Sequence, residues 1–376
     1  VSMNTNMNAR KRVYELLNKM EKGAYSPIIL DNELKKQDYN NGGEKNKRFV
    51  TALFYGVIER RLTLDYVIEK FTPQGKTEKE VLQLLRMALY QLMFMDSVPE
   101  SAAVNESVEL APKRAKGYVN AVLRNFLRNG RDLINKEINE NLSLKFSCPE
   151  WLVEKWRVEY GEEAMMQILR TSLLKPPAFY QDGYKQDLSS QQACQLLEPQ
   201  SGETVIDLCA APGGKSFTIA QLMKNTGRII SCDINRKKLK LVEKGAERLG
   251  LNIIETCVNN AKVFNLDFPK ADRVLCDVPC SGLGVIRRKP EIKYKPQGDF
   301  DGLPAVQLQI LRTASDYVKD SGVMMYSTCT LSRAENDDVV DKFITESNKF
   351  ELIDKKTIIP SEIGGDGFFT ALLKKR

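Results

Sequence analysis

The stretch ETVIDLCAAPGGK, residues 203–215, decides the fold class of this chain. Its first half, Glu203 to Leu208, is a short apolar run of the kind that forms a strand buried in a parallel sheet. Cys209, Ala210, Ala211, Pro212, Gly213, Gly214 and Lys215 follow, and a helix is expected through Met223. Small residues after a strand let backbone N–H groups approach a ligand at the helix N-terminus. The segment does not match the phosphate-binding P-loop, whose two glycines stand four residues apart. One helix later, RIISCD (228–233) is a second strand ending in an acid, Asp233, placed to grip ribose hydroxyls. The glycine loop alone also reads as a structural turn. Loop and acid together imply an adenosine-containing cofactor. Further strands at 253–258, 273–277 and 322–330 complete an α/β, Rossmann-like domain.

Two of those strands end in cysteines. ADRVLCDVPCSGLG (271–284) runs as a strand to Asp277, and Pro279 ends it because proline has no N–H to donate. Cys280 then lies in a loop at the carboxyl end of the strand, where open α/β sheets bind their ligands. GVMMYSTCT (322–330) ends in Cys329 between two threonines. Neighbouring parallel strands open onto one crevice, so both thiols can face one ligand. Each also reads, in isolation, as a buried small residue. The other cysteines, Cys148, Cys194, Cys209, Cys232, Cys257 and Cys276, form no Cys-x-x-Cys pair, and the chain has no histidine, so no metal site is expected. Without histidine, proton transfer falls to carboxylate, thiolate, lysine or water.

Residues 1–130 read as all-helical, with five to seven helices; the segment from Glu80 to Met95 has the widest apolar face. Chain breaks are expected at residues 40–43 and 73–75. Residues 131–190 read as a helical linker with a shortened RNA-binding segment, and 191–376 as the catalytic domain. The 376 residues carry 56 Lys and Arg against 49 Asp and Glu, a net charge of +7 that suits a nucleic-acid partner. Arg10, Lys11, Arg12, Arg60, Arg61, Lys113, Arg114, Lys116, Arg124 and Arg128 are candidate phosphate contacts, or ordinary solvated helix faces. Mean hydropathy is −0.35 and no long apolar run occurs, so a cytoplasmic, non-membrane protein is expected.

The segments LLRMALYQLMFMDSVPESAAVNESVELAPK (84–113) and AKGYVNAVLRNFLR (115–128) resemble the NusB-type RNA-binding domain. DLCAAPGGKS, DVPCSGLG and STCTLSRAEN, in this order, resemble the RNA (cytosine-5) methyltransferases, and with the helical domain in front the chain resembles the RsmB/Sun-type enzymes of small-subunit (16S) ribosomal RNA. GGDGFFTALLKK (364–375) is similar to that family's last strands. The resemblance implies S-adenosyl-L-methionine as cofactor, held by residues 209–215, Asp233, Asn260 and Asp277. It implies Cys329 as nucleophile toward cytosine C6, Cys280 in release, Asp277 at the cytosine N3/N4 edge, and Lys215 lowering the Cys329 pKa by charge. It implies as partner a ribosomal RNA before full assembly, bound by a monomer.

Two departures stand out. Asn259-Asn260-Ala261 occupies the place where the family has an acid for the adenine. Residues 178–185 are all that stands where the family the chain resembles carries a lobe that helps to cradle RNA, which the resemblance implies is shortened here. Three rival readings stand beside it: a NusB-like RNA-binding protein with a silent methyltransferase fold, a DNA cytosine methyltransferase using the Pro-Cys thiol, and an amino-methyltransferase. The last would need an Asn/Asp-Pro-Pro-Tyr/Phe loop at 277–280.

Overall fold

The computed structural model describes residues 2–21, 23, 26–36, 43–73, 77–181 and 183–376. The breaks expected at 40–43 and 73–75 lie largely outside the described residues. Two compact units are present: residues 1–154 with Lys289–Tyr294, and residues 155–288 with 295–376.

The first unit is all-α. Seven helices are described before residue 130: Ser2–Met20, Ser26–Leu34, Gly43–Glu59, Arg61–Phe71, Lys79–Phe94, Glu100–Leu110 and Lys116–Asn129. Helix Lys79–Phe94 is buried nearly all round through Leu84, Leu85, Met87, Ala88 and Leu89, which makes it the centre of the bundle. It lies so close to helix Gly43–Glu59 that a Cβ at Gly56 would fall 1.9 Å from the Tyr90 ring. Ile134 and Ile138, in a stretch read from sequence as linker, belong to this same core.

Two features of this unit depart from the sequence reading. Arg10, a candidate phosphate contact, is only 3% exposed and donates to Gln91 and Glu106 at 2.6 and 2.5 Å. It holds the bundle together and cannot reach a phosphate. The chain-distant segment Lys289–Tyr294 also packs here. Lys293 Nζ and the Tyr294 hydroxyl both donate to the Glu59 carbonyl, at 2.8 and 3.0 Å. Burial pushes the Lys293 ammonium down to about 8 and the Glu59 carboxyl up to about 7.

The second unit is a seven-stranded sheet with helices. Its strands are β1 (Thr204–Asp207), β2 (Arg228–Asp233), β3 (Ile254–Val258), β4 (Ala271–Asp277), β5 (Val318–Thr328), β6 (Phe350–Ile358) and β7 (Phe368–Lys375). Their spatial order is β3-β2-β1-β4-β5-β7-β6. The first five run parallel, and β7 and β6 add to β5 antiparallel. Parallel neighbours need a crossover. The connections supply helix α1 (Gly214–Leu222), α2 (Arg236–Leu249) and α3 (Leu303–Ser315), and α4 (Asp337–Glu346) follows β5. Helix α2 shows how local sequence sets the limits: Asn235 caps its first turn by accepting from Lys237 N–H, and Gly250 ends it in the left-handed conformation.

Val205, Ile206, Val274, Leu275, Met324 and Met325, all buried, form the middle of the sheet. A buried ionic cluster fastens its C-terminal edge. Arg287 and Arg288 both donate to Asp366, and Arg288 also pairs with Asp187 at 3.0 Å. Tyr180–Gln181 pairs antiparallel with Tyr184–Lys185 in the short stretch that replaces the expected lobe; Asp182 lies outside the described residues.

Candidate active site

Parallel pairing brings the ends of β1, β4 and β5 side by side. The register sets Asp277 opposite Ser327, and Ser327 Oγ donates to Asp277 Oδ1 at 2.9 Å. From the loop after β1, Lys215 Nζ donates to Asp277 Oδ2 at 2.6 Å. Both carboxylate oxygens of Asp277 are therefore held. Burial opposes the Lys215 charge, but the Asp277 carboxylate, aided by Cys194 and Cys329, outweighs it and raises the lysine pKa. Lys215 stays a cation whose field reaches Cys329. It also lies over the Phe368 ring, 5.1 Å from the centroid.

The DVPCSGLG loop folds back over the end of β5. Gly284 N–H donates to the Cys329 carbonyl at 3.0 Å, and a Cβ at Gly284 would meet the Gly367 carbonyl oxygen at 2.2 Å. Only glycine permits that approach. The fold-back places the Cys280 sulfur 3.4 Å from the Cys329 sulfur. The hydrogen bond with Cys329, then burial, pushes the Cys280 thiol up, so Cys280 is the member that keeps its proton. The four residues expected from sequence to carry chemistry, Cys329, Cys280, Asp277 and Lys215, thus form one cluster.

The glycine loop is shaped from beneath by Asp207, which sequence reasoning passed over. This carboxyl, 1% exposed, accepts from Ser216 Oγ at 2.7 Å and from Cys209 N–H at 3.4 Å. Ala210 N–H donates to the Cys232 carbonyl at 2.7 Å, tying the loop to β2. Gly213 has φ +110°, and a Cβ there would lie 2.5 Å from the Phe217 ring. The Cys209 thiol is half-buried, and desolvation pushes it far up, so this residue serves through its backbone. Asp233 ends β2 and accepts from Asn235 N–H at 2.7 Å.

Two buried amides mark where a cofactor fits. Gln186 Nε2 has no hydrogen-bond partner among the described residues, and it lies 3.4 Å from the position of a Cβ on Gly214. Asn259 Nδ2, just after β3, is likewise unpartnered among the described residues. Asn260, expected at the adenine, accepts from Lys262 N–H at 3.2 Å and is half-buried. A glycine cradle at a helix N-terminus, an acid ending the next strand and two unspent amide donors suit a nucleoside with an amino-acid tail. Neither amide stood out in the sequence, because both owe their burial to tertiary packing. Among the described residues no group of acids and cysteines is arranged to hold a metal ion.

Comparison with known proteins agrees with these features. The family model described as 16S rRNA methyltransferase RsmB/F matches residues 194–374, and the NusB family model matches residues 7–128. A probable ribosomal RNA small subunit methyltransferase B from Bacillus subtilis is 36% identical, covering 96% of this chain and 97% of its own length. That alignment spans 440 residues against 376 here, so the relative carries stretches with no counterpart in this chain. The corresponding enzyme of Thermus thermophilus is 30% identical, covering 89% of this chain and 87% of its own. Among solved structures, PH0851 superposes with a TM-score of 0.80 at 22% identity, over 98% of this chain and 99% of that one. A methyltransferase homolog protein from Pyrococcus horikoshii gives 0.53 at 20% identity, over 64% of this chain and 99% of that one. Both likenesses establish the fold.

Asp207 makes the loop's stability depend on pH. Burial raises its pKa to about 7, above the ~3.9 of an unfolded aspartate. Between those values the folded chain keeps a proton that the unfolded chain has lost, so this group's contribution falls as pH rises. In denaturant unfolding from pH 4.5 to 7, Asp207→Asn should gain stability relative to wild type at each step. A constant difference across that range would mean that Asp207 is ionised in the fold.

Proposed function

The chain belongs to the ribosomal RNA small subunit methyltransferase B family, and on that premise we propose that it methylates C5 of a cytosine in small-subunit ribosomal RNA through a covalent adduct with Cys329. The contact between Cys280 and Cys329, beside the Lys215–Asp277 pair, carries the reading. A single thiol would suffice for addition; a second one at 3.4 Å supplies a separate group for release.

C5 of cytosine is too weak a nucleophile to take a methyl group unaided. In the proposed reaction Cys329 adds as thiolate to C6, forming the S–C6 bond and moving the C5–C6 double-bond pair onto C5. Lys215, held cationic by Asp277, favours negative charge on that sulfur before it attacks. Asp277 faces the N3/N4 edge of the ring, where hydrogen bonding supports electron flow into it. S-adenosyl-L-methionine, when bound, supplies an electrophilic methyl on a sulfonium. Residues 209–215, Asp233, Asn260 and Asp277 would hold it, and the unpartnered amides of Gln186 and Asn259 offer further donors.

Release follows from the same geometry. Once Cys329 is bonded to carbon, it no longer accepts a hydrogen bond from Cys280 or carries charge beside it. Two of the causes that raise the Cys280 thiol are then gone. Cys280 can lose its proton to solvent and take the proton from C5; the S–C6 bond then breaks and returns its electron pair to Cys329. The target base must be unstacked before either sulfur can reach it.

The helical unit supplies the other half of the substrate reading. Lys113, Arg114, Arg124 and Arg128 are exposed along helix Lys116–Asn129 and the turn before it, although Arg114 is paired with Glu78 at 2.7 Å. These cations are placed to meet RNA phosphates. Replacing Lys113, Arg124 and Arg128 together by alanine should flatten the salt dependence of RNA binding by about two units in the log–log slope. An unchanged slope would assign the RNA contact to another surface.

The two thiols are separated by one experiment. Cys329→Ala should abolish methyl transfer and form no covalent RNA adduct. Cys280→Ala should add and transfer, then stall, so that protein and RNA run as one species on a denaturing gel. Adducts in Cys329→Ala and none in Cys280→Ala would reverse the assignment. Activity in both variants would remove covalent catalysis from the account.

A further inference from the structure

The polar groups beside both thiols lead to one dipeptide, Glu335-Asn336, which the sequence analysis met only as the end of a motif. Glu335 is 2% exposed and Asn336 is fully buried. Glu335 Oε2 accepts from Ser281 N–H and from the Gln307 amide, both at 2.9 Å, and that amide nitrogen also donates to the Pro279 carbonyl at 2.9 Å. Glu335 Oε1 accepts from Ser281 Oγ at 2.5 Å. Pro279 and Ser281, the two neighbours of Cys280, are thus both fixed through one carboxylate. Asn336 does the same for Cys329. Its Oδ1 accepts from Thr328 Oγ1 at 2.6 Å, and its Nδ2 donates to the Thr330 carbonyl at 3.0 Å.

The two halves are joined by hydroxyls. Ser281 Oγ and Thr330 Oγ1 lie 2.6 Å apart. Since Ser281 gives its proton to Glu335, Thr330 must be the donor to Ser281. The donors therefore run in one direction, Thr330 to Ser281 to carboxylate. The Tyr326 hydroxyl, donating to the Glu335 carbonyl, pins the dipeptide itself. A buried carboxylate is an expensive way to fill a core, and an apolar pair of similar volume serves stability as well or better. What the carboxylate adds is direction. It takes three donors at once, two from the cysteine loop and one from Gln307 on α3, and no apolar side chain can.

We propose that Glu335 and Asn336 form a positioning clamp that fixes the separation of Cys280 and Cys329 and thereby sets the hand-over from addition to release. The hand-over rests on the reading of the two thiols given above; the clamp itself does not. Neither residue touches the reacting sulfurs, so both act through Pro279, Ser281, Thr328 and Thr330. Glutamine at 335 cannot replace glutamate in either orientation of its amide. With nitrogen at the Oε2 position, two N–H donors face a third; with nitrogen at the Oε1 position, the amide donates to Ser281 Oγ, the hydroxyl chain must reverse, and the Thr330 proton loses its acceptor.

The test uses the full chain with Glu335→Gln and, as a milder lesion should that variant fold poorly, Ser281→Ala. Diamide converts two thiols to a disulfide and is itself reduced to the hydrazine, so its closure rate for Cys280–Cys329, read by peptide mass spectrometry, reports their separation without any methyl transfer. Closure should slow about tenfold or more in a variant whose melting curve remains cooperative. The turnover rate on RNA should fall by a similar factor, with KM for S-adenosyl-L-methionine nearly unchanged and the RNA adduct longer-lived. Closure at the wild-type rate in both variants would overturn the clamp. Slower closure with normal turnover would overturn its part in the reaction. Methylation by Cys329→Ala would overturn the thiol reading, and the hand-over with it, while slowed closure in Glu335→Gln would still establish the clamp.

Discussion

A 2.6 Å ion pair between Lys215 and Asp277 joins the two strand ends on which this site is built. One partner comes from the loop after β1, the other from the last position of β4, and only parallel pairing of these strands brings them together. The pair settles the local charge. A lysine so enclosed would tend to lose its proton; beside Asp277 it keeps it and presents a fixed cation toward the thiols. In a site without histidine that cation is the main means of favouring a thiolate. The glycine cradle, the cysteine loop and the end of β5 are arranged around it.

The second constraint is steric. Gly284 passes so close to Gly367 and to the Cys329 carbonyl that no side chain fits, and this passage presses the Pro-Cys loop onto the strand end. Electrostatics and close packing therefore act on the same few ångströms. Glu335 and Asn336 then hold each cysteine by the residues on either side of it. The result is a pair of sulfurs placed by the backbone on either side of each and in contact with one another.

Much of this was legible in the sequence because strand ends write a local signature. ETVIDL, RIISCD and ADRVLCD are short apolar runs, the last two stopping at an acid, and a parallel sheet must bring such ends to one edge. The helical bundle was legible through the periodicity of residues 80–95. What was not legible depends on contacts between distant parts of the chain. Arg10 looks like a surface cation and becomes a buried tie to Gln91 and Glu106. Lys293 and Tyr294 sit in a catalytic-domain sequence yet belong to the helical unit. Asp207, Gln186 and Asn259 owe their parts to burial, which leaves no mark on the residue itself. Glu335 stood only at the end of the STCTLSRAEN motif; its four donor contacts come from three separate segments.

The most direct measurement of the central claim is to trap the wild-type protein on RNA carrying 5-fluorocytosine, whose C5 fluorine cannot be removed as a proton can. After digestion with protease and nuclease, mass spectrometry locates the peptide that retains a nucleotide. A methylated fluorocytidine attached at Cys329 is the predicted result. The same nucleotide on Cys280, or methylated RNA with no attached peptide, would contradict the account.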